Sequence, residues 1–422
     1  MPRRSALSFL LPLVFLLCAC GESRRNDAPS PPPPTPTPAT AGAQPPAAPS
    51  ATATPAPSPP AQTTTPAGHD FIAEGRALLR VAACGDGEIP AEIDSGVVDA
   101  HCKGTRDAQE RYRTRWITPA RAFFAQHVPA DIPRTVVYPF AGGDLSTALT
   151  VFPEADEITT ISLEPAGDPR SLASLDRAHL RQALEVVQSE LRFLYIVNFS
   201  NTLNLIDAMR GGKLPTQLVF SLSALRLHGF EPVSLRFFRI APDGSLEYLD
   251  DDAAAAAGDP RKVAAAKRNA VFGNMELRFR RPGDDRVRVY RHIMTNLHNL
   301  PLSKDRRVLA HLERKGKVAG MTKAASYLLS WDEFSTMRTY LLDHVVWMVS
   351  DASGLPPEAA EGAGFTLETW GQYDGSHMAA GKRIGRQWLA VWKKQPSRPL
   401  PFRFGYPDVK KRNHLVISRR TS

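Results

Sequence analysis

The spacing of apolar residues changes several times along the chain after residue 70, and each change predicts a different element. Apolar side chains recur every three or four positions from Phe71 to Val81, which is typical of an amphipathic helix. A second helical pattern runs from Thr105 to Gln126. Pro119 lies inside it, and because proline cannot donate a helical hydrogen bond, we expect a kink or a new helix start near Thr118.

The most regular pattern follows this helix. A β-branched run at residues 135–138 predicts a buried strand, residues 139–144 a Gly-rich turn, and residues 145–152 a short helix. A second β-branched run, residues 157–163, ends at Glu164. A strand, a Gly-rich turn, a helix and a strand with a terminal acid form the first unit of a Rossmann-type sheet.

The rest of the chain shows the same kinds of pattern. We predict helices at residues 172–193, 214–228 and 334–342, strands at 230–237 and 345–349, a β-hairpin at 275–293, and an exposed, mobile loop at 250–258. The strands that end at Glu164 and Asp351 both continue as acid-x-x-Gly-x-Pro, which leaves a duplication of the first unit open. The predicted fold class is therefore α/β, with Rossmann-like sheet units, added helices and a basic β-hairpin.

The N-terminus has the features of an export signal. Arg3 and Arg4 precede an apolar run from Leu7 to Leu17, which suits a signal-peptide core and is too short to span a bilayer. Small residues then precede Cys20, and the run resembles the lipobox of bacterial lipoproteins, which are cleaved before a lipid-bearing cysteine. The resemblance implies that Cys20 begins the mature chain and carries palmitate. An ordinary secretory signal is the alternative.

Composition divides the chain into four parts. Residues 1–19 are the predicted signal peptide, and residues 20–67 the lipidated cysteine with a Pro-rich, disordered tether. Residues 68–270 are predicted to hold a disulfide-stapled helical entry and the first Rossmann-like unit, and residues 271–422 the hairpin and a second α/β unit. The expected location is the cell envelope, at the outer membrane, facing the periplasm or the cell surface.

Charge and export limit the classes of binding partner that we expect for this protein. The 52 Lys and Arg exceed the 43 Asp and Glu, giving a formal charge of +9. We expect the membrane, through the Cys20 anchor, and an anionic envelope polymer or phospholipid headgroup as partners, while export argues against nucleic acid.

In an oxidising compartment Cys84 and Cys102 are expected to form a disulfide. The sequence contains no CxxC, HExxH or His-rich tract, and we expect no metal and no cofactor.

The leading ligand-binding candidates lie in two places. They are the Gly-rich turn, with Gly142, Gly143 and Asp144, and the acid after the second strand, Glu164. Backbone N–H groups of such a turn approach ligands closely, and an acid after the second strand binds ribose hydroxyls in nucleotide-binding folds. The turn is similar to the Pro-Phe-x-Gly-Ser-Gly turn of amino-group DNA methyltransferases. Tyr138 stands where that family has an acid, Asp144 replaces its last glycine, and no Asp/Asn-Pro-Pro-Tyr/Phe segment is present. We therefore interpret the unit as a Rossmann-like core that keeps the turn without methyl transfer.

Two further clusters are candidates. Lys323, Ser326 and Tyr327 are spaced to meet on one face of a helix, where a lysine activates a hydroxyl nucleophile; a structural role is the alternative. The hairpin carries arginines suited to phosphate or carboxylate, which we expect to share one face: Arg278, Arg280 and Arg288. A solvated sheet face is the alternative for these.

The chain resembles an uncharacterised group of bacterial lipoproteins in which four motifs recur in order, here at residues 138–144, 163–167, 323–327 and 351–356. The resemblance implies no catalytic residue. The expected function is an envelope lipoprotein that binds a polar or anionic ligand without catalysis. The alternative is an envelope hydrolase or transferase on a degenerate methyltransferase-like fold, with four catalytic candidates: Asp144, Glu164, Lys323 and Asp351.

Overall fold

A mixed sheet of ten strands organises the described chain. The computed structural model describes residues 68–197, 214–375, 381–405 and 413–421, and the predicted signal, tether and Cys20 lie outside them. The strands are β1 (Thr135–Pro139), β2 (Glu157–Ser162), β3 (Glu231–Ile240), β4 (Leu246–Tyr248), β5 (Asn274–Arg280), β6 (Arg288–Met294), β7 (Val318–Thr322), β8 (Val345–Ser350), β9 (Phe365–Gly371) and β10 (His414–Arg420). Their spatial order is β4-β3-β5-β6-β2-β1-β7-β8-β10-β9.

The five central strands, β6, β2, β1, β7 and β8, are parallel. A parallel sheet is normally covered by helices on both faces, so its strands are apolar on both sides. The apolar run of β1 provides side chains that pack on each face. Val136 belongs to the core on one face of the sheet and Val137 to the core on the other. The α/β, Rossmann-like fold class predicted from the sequence is therefore confirmed.

Helices cover the two faces. They are α1 (Ile72–Val81), α2 (Ser95–Tyr112), α3 (Thr118–His127), α4 (Leu145–Val151), α5 (Arg177–Val197), α6 (Thr216–Leu227), α7 (Asp251–Ala256), α8 (Ala265–Val271), α9 (Asn299–Lys304), α10 (Arg307–Glu313), α11 (Ser335–His344), α12 (Pro357–Gly362) and α13 (Gly381–Lys394). The sequence predicts a kink or a new helix start near Thr118, but the backbone stays helical at Ile117 (φ −58°, ψ −50°) and Thr118 (φ −61°, ψ −54°), so no new helix starts there. A π-helical segment, Arg113–Ile117, joins α2 to α3, and Pro119, which has no N–H to donate, is the second residue of α3.

The predicted hairpin is present as β5 and β6, but its arginines do not share one face. Arg278 lies opposite Val289, whereas Arg288 lies opposite Phe279. Since directly opposed residues in an antiparallel pair point to the same side, Arg288 points to the side of Phe279, away from Arg278 and Arg280. The hairpin also pairs with β3 on one side and β2 on the other, so one sheet crosses the predicted boundary at residue 270.

Two other local predictions are wrong. The segment expected as a mobile loop contains α7, which begins after Asp250 because the side chain of that residue accepts a hydrogen bond from the Ala253 N–H at 2.8 Å. Lys323 is not helical: it has extended backbone (φ −157°, ψ 150°) directly after β7, and a 3₁₀ helix begins at Ala324. The i, i+3, i+4 helix face expected for Lys323, Ser326 and Tyr327 is therefore not formed.

The disulfide prediction is confirmed by a bond between Cys84 and Cys102, with Sγ–Sγ 2.09 Å and Cα–Cα 5.4 Å. It ties the end of α1 to the middle of α2. His101 lies beside it and forms a hydrogen bond through Nε2 with the Ala82 carbonyl at 2.9 Å. Across the described ranges, none of the helices combines the length and apolar character needed to cross a bilayer.

Candidate functional site

The four acid and lysine candidates all lie at one edge of the parallel sheet. Glu164 follows β2, Asp144 follows β1, Lys323 follows β7, and Asp351 follows β8. The chain proceeds from β1 to β2 on one side and from β7 to β8 on the other, so the boundary between β1 and β7 is a topological switch point. Ligands of open α/β sheets bind in the crevice at the carboxyl ends of such strands.

The backbone is strained on both sides of the switch point. Phe140, just after β1, has φ 59°, and Ala324, just after β7, has φ 58°. A non-glycine residue in the left-handed region costs roughly 1–3 kcal/mol, and such residues cluster at functional sites. Gly143 is required sterically, because a Cβ there would lie 2.4 Å from Cδ2 of Phe220.

Asp144 and Lys323 form a buried ion pair across the switch point. Their side chains are 1% and 2% exposed, and Lys323 Nζ lies 2.5 Å from Asp144 Oδ2. The ammonium also donates to Thr147 Oγ1 at 3.0 Å and lies 5.7 Å from the centre of the Phe404 ring. The pair therefore joins the β1 turn to the end of β7.

The carboxylate of Asp144 is saturated by protein donors. Oδ1 accepts from the Thr147 N–H at 3.3 Å and the Thr147 hydroxyl at 2.6 Å, which makes Asp144 the N-cap of α4. Oδ2 accepts from the Tyr138 hydroxyl at 3.1 Å besides Lys323. Tyr138, which stands where methyltransferases have an acid, thus serves to orient Asp144.

Asp351 is saturated in the same manner. It accepts from the Ala324 N–H at 3.1 Å, from the Ser353 N–H at 2.8 Å, and from the Ser353 hydroxyl. Ser326 Oγ lies 3.0 Å from Ser353 Oγ, so the serine of the predicted Lys-Ser-Tyr cluster bonds to this turn. Asp351 and Ser326 together fix the strained Ala324 segment.

A serine and a histidine that no sequence pattern marks also approach each other here. Ser146 Oγ lies 3.1 Å from His228 Nε2, a distance that suits a nucleophile and its base. Arg121 donates to His228 Nδ1 at 2.6 Å, and because arginine only donates, Nδ1 has no proton. Burial, and then the charges of Arg121 and Arg281, hold the pKa of His228 well below its usual range. The neutral ring therefore donates from Nε2 to Ser146 and does not act as its base.

Glu164 differs from the other three candidates. It is 0% exposed, and neither carboxylate oxygen has a hydrogen-bond partner among the described residues. Its carbonyl accepts from His292 Nε2 at 2.6 Å. Gln217 Nε2 lies 3.1 Å from the Gly142 carbonyl and 3.2 Å from His292 Nδ1, while Gln217 Oε1 also has no partner within the described ranges. In the described part of the chain, Gln217 thus brings an acceptor without a donor to the Gly-rich turn, and it is linked through His292 to the backbone of Glu164, whose carboxylate also lacks a donor.

A cavity of about 150 Å³ opens at the same edge. Its lining comes from the ends of β1, β2 and β6 and from the 3₁₀ helix after β7, and includes Gly142, Ser162, Leu163 and Asn296. Ser162 Oγ has no hydrogen-bond partner within the described part of the chain. Leu163, although apolar, is 51% exposed. The cavity combines apolar walls with a few polar groups; it is smaller than the roughly 300–1,000 Å³ of typical small-ligand sites, and its lining does not include Glu164 or Gln217.

The hairpin arginines are occupied by the protein itself. Arg278 Nε is 2.8 Å from Glu276 Oε1, and Arg280 Nε is 2.9 Å from Glu231 Oε1. Arg288 donates to the Pro153 carbonyl at 2.6 Å. Anion binding by these three arginines stays a prediction. Their bonds to acceptors of the protein weaken it.

In comparisons with known proteins, no family model, curated protein or solved structure matches the chain.

Proposed function

We propose that this protein is a lipid-anchored envelope protein that binds a polar ligand, without catalysis, at the carboxyl edge of β1 and β2. The observation that carries the proposal is the buried carboxylate of Glu164, which has no partner among the described residues. Burying such a group without a partner is costly, and unsatisfied groups of this kind are found where a ligand or a reaction uses them.

The unsatisfied groups indicate the chemistry of the ligand. The Glu164 carboxylate and Gln217 Oε1 are both acceptors. The matching ligand brings donors, such as the hydroxyl groups of a sugar or an amino group. At this edge a donor-bearing ligand therefore fits better than the anionic ligand expected from the overall charge.

Binding is better supported than catalysis at the same edge. Asp144, Lys323 and Asp351 already contact donors or acceptors of the protein. The neutral His228 donates to Ser146, so that pair lacks an available base. Of the four catalytic candidates, only Glu164 has a carboxylate without partners among the described residues, so a hydrolase or transferase reaction at this edge would depend on Glu164 as its base.

The Glu164→Gln substitution tests the proposal through stability. Replacing a buried carboxyl group that has no partner among the described residues with a neutral amide is expected to raise the free energy of unfolding of the unliganded protein by about 1–3 kcal/mol. The matched control is Glu276→Gln, because Glu276 is also buried but pairs with Arg278 and Arg291 at 2.8 Å each. That control is expected to lose stability. Urea denaturation measures both; a loss of stability in Glu164→Gln would show that its carboxylate has a structural role.

Ligand binding is the second readout of the same variant. The probes are a panel of monosaccharides and amino sugars, tested by thermal shift and by native mass spectrometry of the full chain. We expect at least one to stabilise the wild type and the Glu358→Gln surface variant, but not Glu164→Gln. Turnover of a probe by wild type but not by Glu164→Gln would instead favour the enzyme alternative.

The lipid anchor has its own test. Metabolic labelling with an alkyne-bearing fatty acid is expected to mark the wild type and the Cys18→Ser variant, but not Cys20→Ser. Cys18 is the matched control because it lies two residues earlier, inside the predicted signal peptide. Equal labelling of Cys20→Ser and wild type would contradict the anchor.

A further inference from the structure

A second group of polar side chains surrounds Phe230, and it adjoins the carboxyl edge through His228, which donates to Ser146. Arg281 follows β5 in the hairpin turn before β6, and therefore lies at the amino end of the parallel strands, opposite the Glu164 edge. The guanidinium carbons of Arg281 and Arg288 each lie 5.0 Å from the centre of the Phe230 ring. Arg121, from α3, reaches His228, two residues before Phe230.

The positive charges in this group are not balanced by the protein. Within the described ranges, neither Arg121 nor Arg281 forms an ion pair, and Arg121 Nε is buried without a hydrogen-bond partner. The nearest acid that pairs in the group is Glu154, 3.5 Å from Arg288. Glu154 is itself 63% exposed and shared with Arg286 at 2.7 Å.

The pKa values of two arginines, Arg121 and Arg288, are lowered by burial and by neighbouring positive charge. Burial lowers the pKa of Arg121, and the neighbouring charge of Arg281 lowers that pKa further. Arg281 also acts on Arg288, whose pKa is lowered first by burial and then by like charges. Bringing arginines together without an acid costs energy that a bound anion would recover.

We propose that Arg121 and Arg281 together bind one phosphate-type oxyanion beside Phe230. Guanidinium groups present planar pairs of donors that match phosphoryl oxygens, and two unpaired positive charges match a phosphate of charge near −2. Free phosphate and the phosphodiester of an anionic phospholipid headgroup both offer phosphoryl oxygens to such donors, although the diester carries a single negative charge. The site uses none of the residues of the proposed Glu164 site.

Two probes distinguish these sources on the full chain. The first is inorganic phosphate, titrated by calorimetry against chloride at matched ionic strength. The second is a pair of vesicle preparations, one zwitterionic and one containing phosphatidylglycerol, compared by co-sedimentation. The readout is the increase in vesicle-bound protein when phosphatidylglycerol is present, called the anionic-lipid gain. Any binding through a lipid anchor contributes equally to both vesicle preparations and therefore cancels.

The key variants are Arg281→Gln and its neighbour Arg280→Gln. Each removes one positive charge, but Arg280 already pairs with Glu231 at 2.9 Å, whereas Arg281 has no acid partner among the described residues. We expect phosphate binding, or the anionic-lipid gain, to weaken about tenfold in Arg281→Gln and to change little in Arg280→Gln. Arg281 is exposed, so its loss is not expected to unfold the chain.

Equal weakening in the two variants would overturn the proposal, because it would indicate attraction by net charge alone. A wild type that shows neither saturable phosphate binding nor an anionic-lipid gain would also overturn it. Binding of phosphate alone assigns the site to a free oxyanion, and an anionic-lipid gain assigns it to a headgroup. Glu164→Gln is expected to leave both signals unchanged, which separates this site from the proposed function.

Discussion

Substituting Asp144 with Asn is expected to lower the free energy of unfolding by about 3–5 kcal/mol, the usual result of breaking one partner of a buried ion pair. The Lys323 ammonium would keep its position, 2% exposed, but would lose the carboxylate 2.5 Å away. Urea denaturation of the full chain measures the loss. The control is Asp332→Asn, since Asp332 is fully exposed and 3.6 Å from Arg338; we expect little change in stability.

A double variant separates the ion pair from simple burial. In Asp144→Leu with Lys323→Met, both charges are absent, so no unpaired charge is left in the core. We expect the double variant to be more stable than Asp144→Asn alone. Equal losses in the single and double variants would contradict the ion pair as the source of stability.

The sequence predicted the parts of this site that depend on local pattern. The β1 turn and the acid after β2 are marked by glycines, β-branched runs and turn residues that are close in the chain. These signals are enough to place Gly142, Asp144 and Glu164 at strand ends. They are also sufficient for the fold class, because a parallel unit of this kind has few alternatives.

The other half of the site depends on β7, which has no clear strand pattern. Ala319 and Gly320 interrupt it, and both residue types are uncommon in strands. Because β7 is not recognised in the sequence, Lys323 is assigned to a helix. Its pairing with Asp144, which is 179 positions earlier in the chain, therefore cannot be inferred. Pairing across such a distance is decided by tertiary packing and not by local preference.

The chemical state of the candidates is also not readable from the sequence. Asp144, Glu164 and Asp351 all follow parallel strands, yet only for Glu164 do both carboxylate oxygens lack partners within the described ranges. The difference comes from neighbours such as Tyr138, within β1, and Ser353, after β8, which donate hydrogen bonds to Asp144 and Asp351. Likewise Arg278 and Arg280 are sound candidates by charge, and their pairing with acids emerges only once β3 and β5 are in register.

Loss of the Cys84–Cys102 disulfide is expected to lower the free energy of unfolding by about 3 kcal/mol. The bond closes a loop with a sequence separation of 18, and cross-linking a loop of this size restricts the unfolded chain by about that amount in the chain-entropy model. The test is denaturation of the wild type with and without a thiol reductant, beside the Cys84→Ser/Cys102→Ser double variant. We expect reduced wild type and the double variant to unfold at the same, lower denaturant concentration.

The double variant is its own control, because the reductant is expected to leave its midpoint unchanged. An unchanged midpoint in the wild type would contradict the prediction. The size of the effect also bears on compartment: typical domains have only about 5–15 kcal/mol of stability, so a chain kept reduced in the cytosol would lose a substantial part of it. Expression without residues 1–19 in a reducing cytosol is therefore expected to give less folded protein than export, and equal yields would remove this support for an oxidising location.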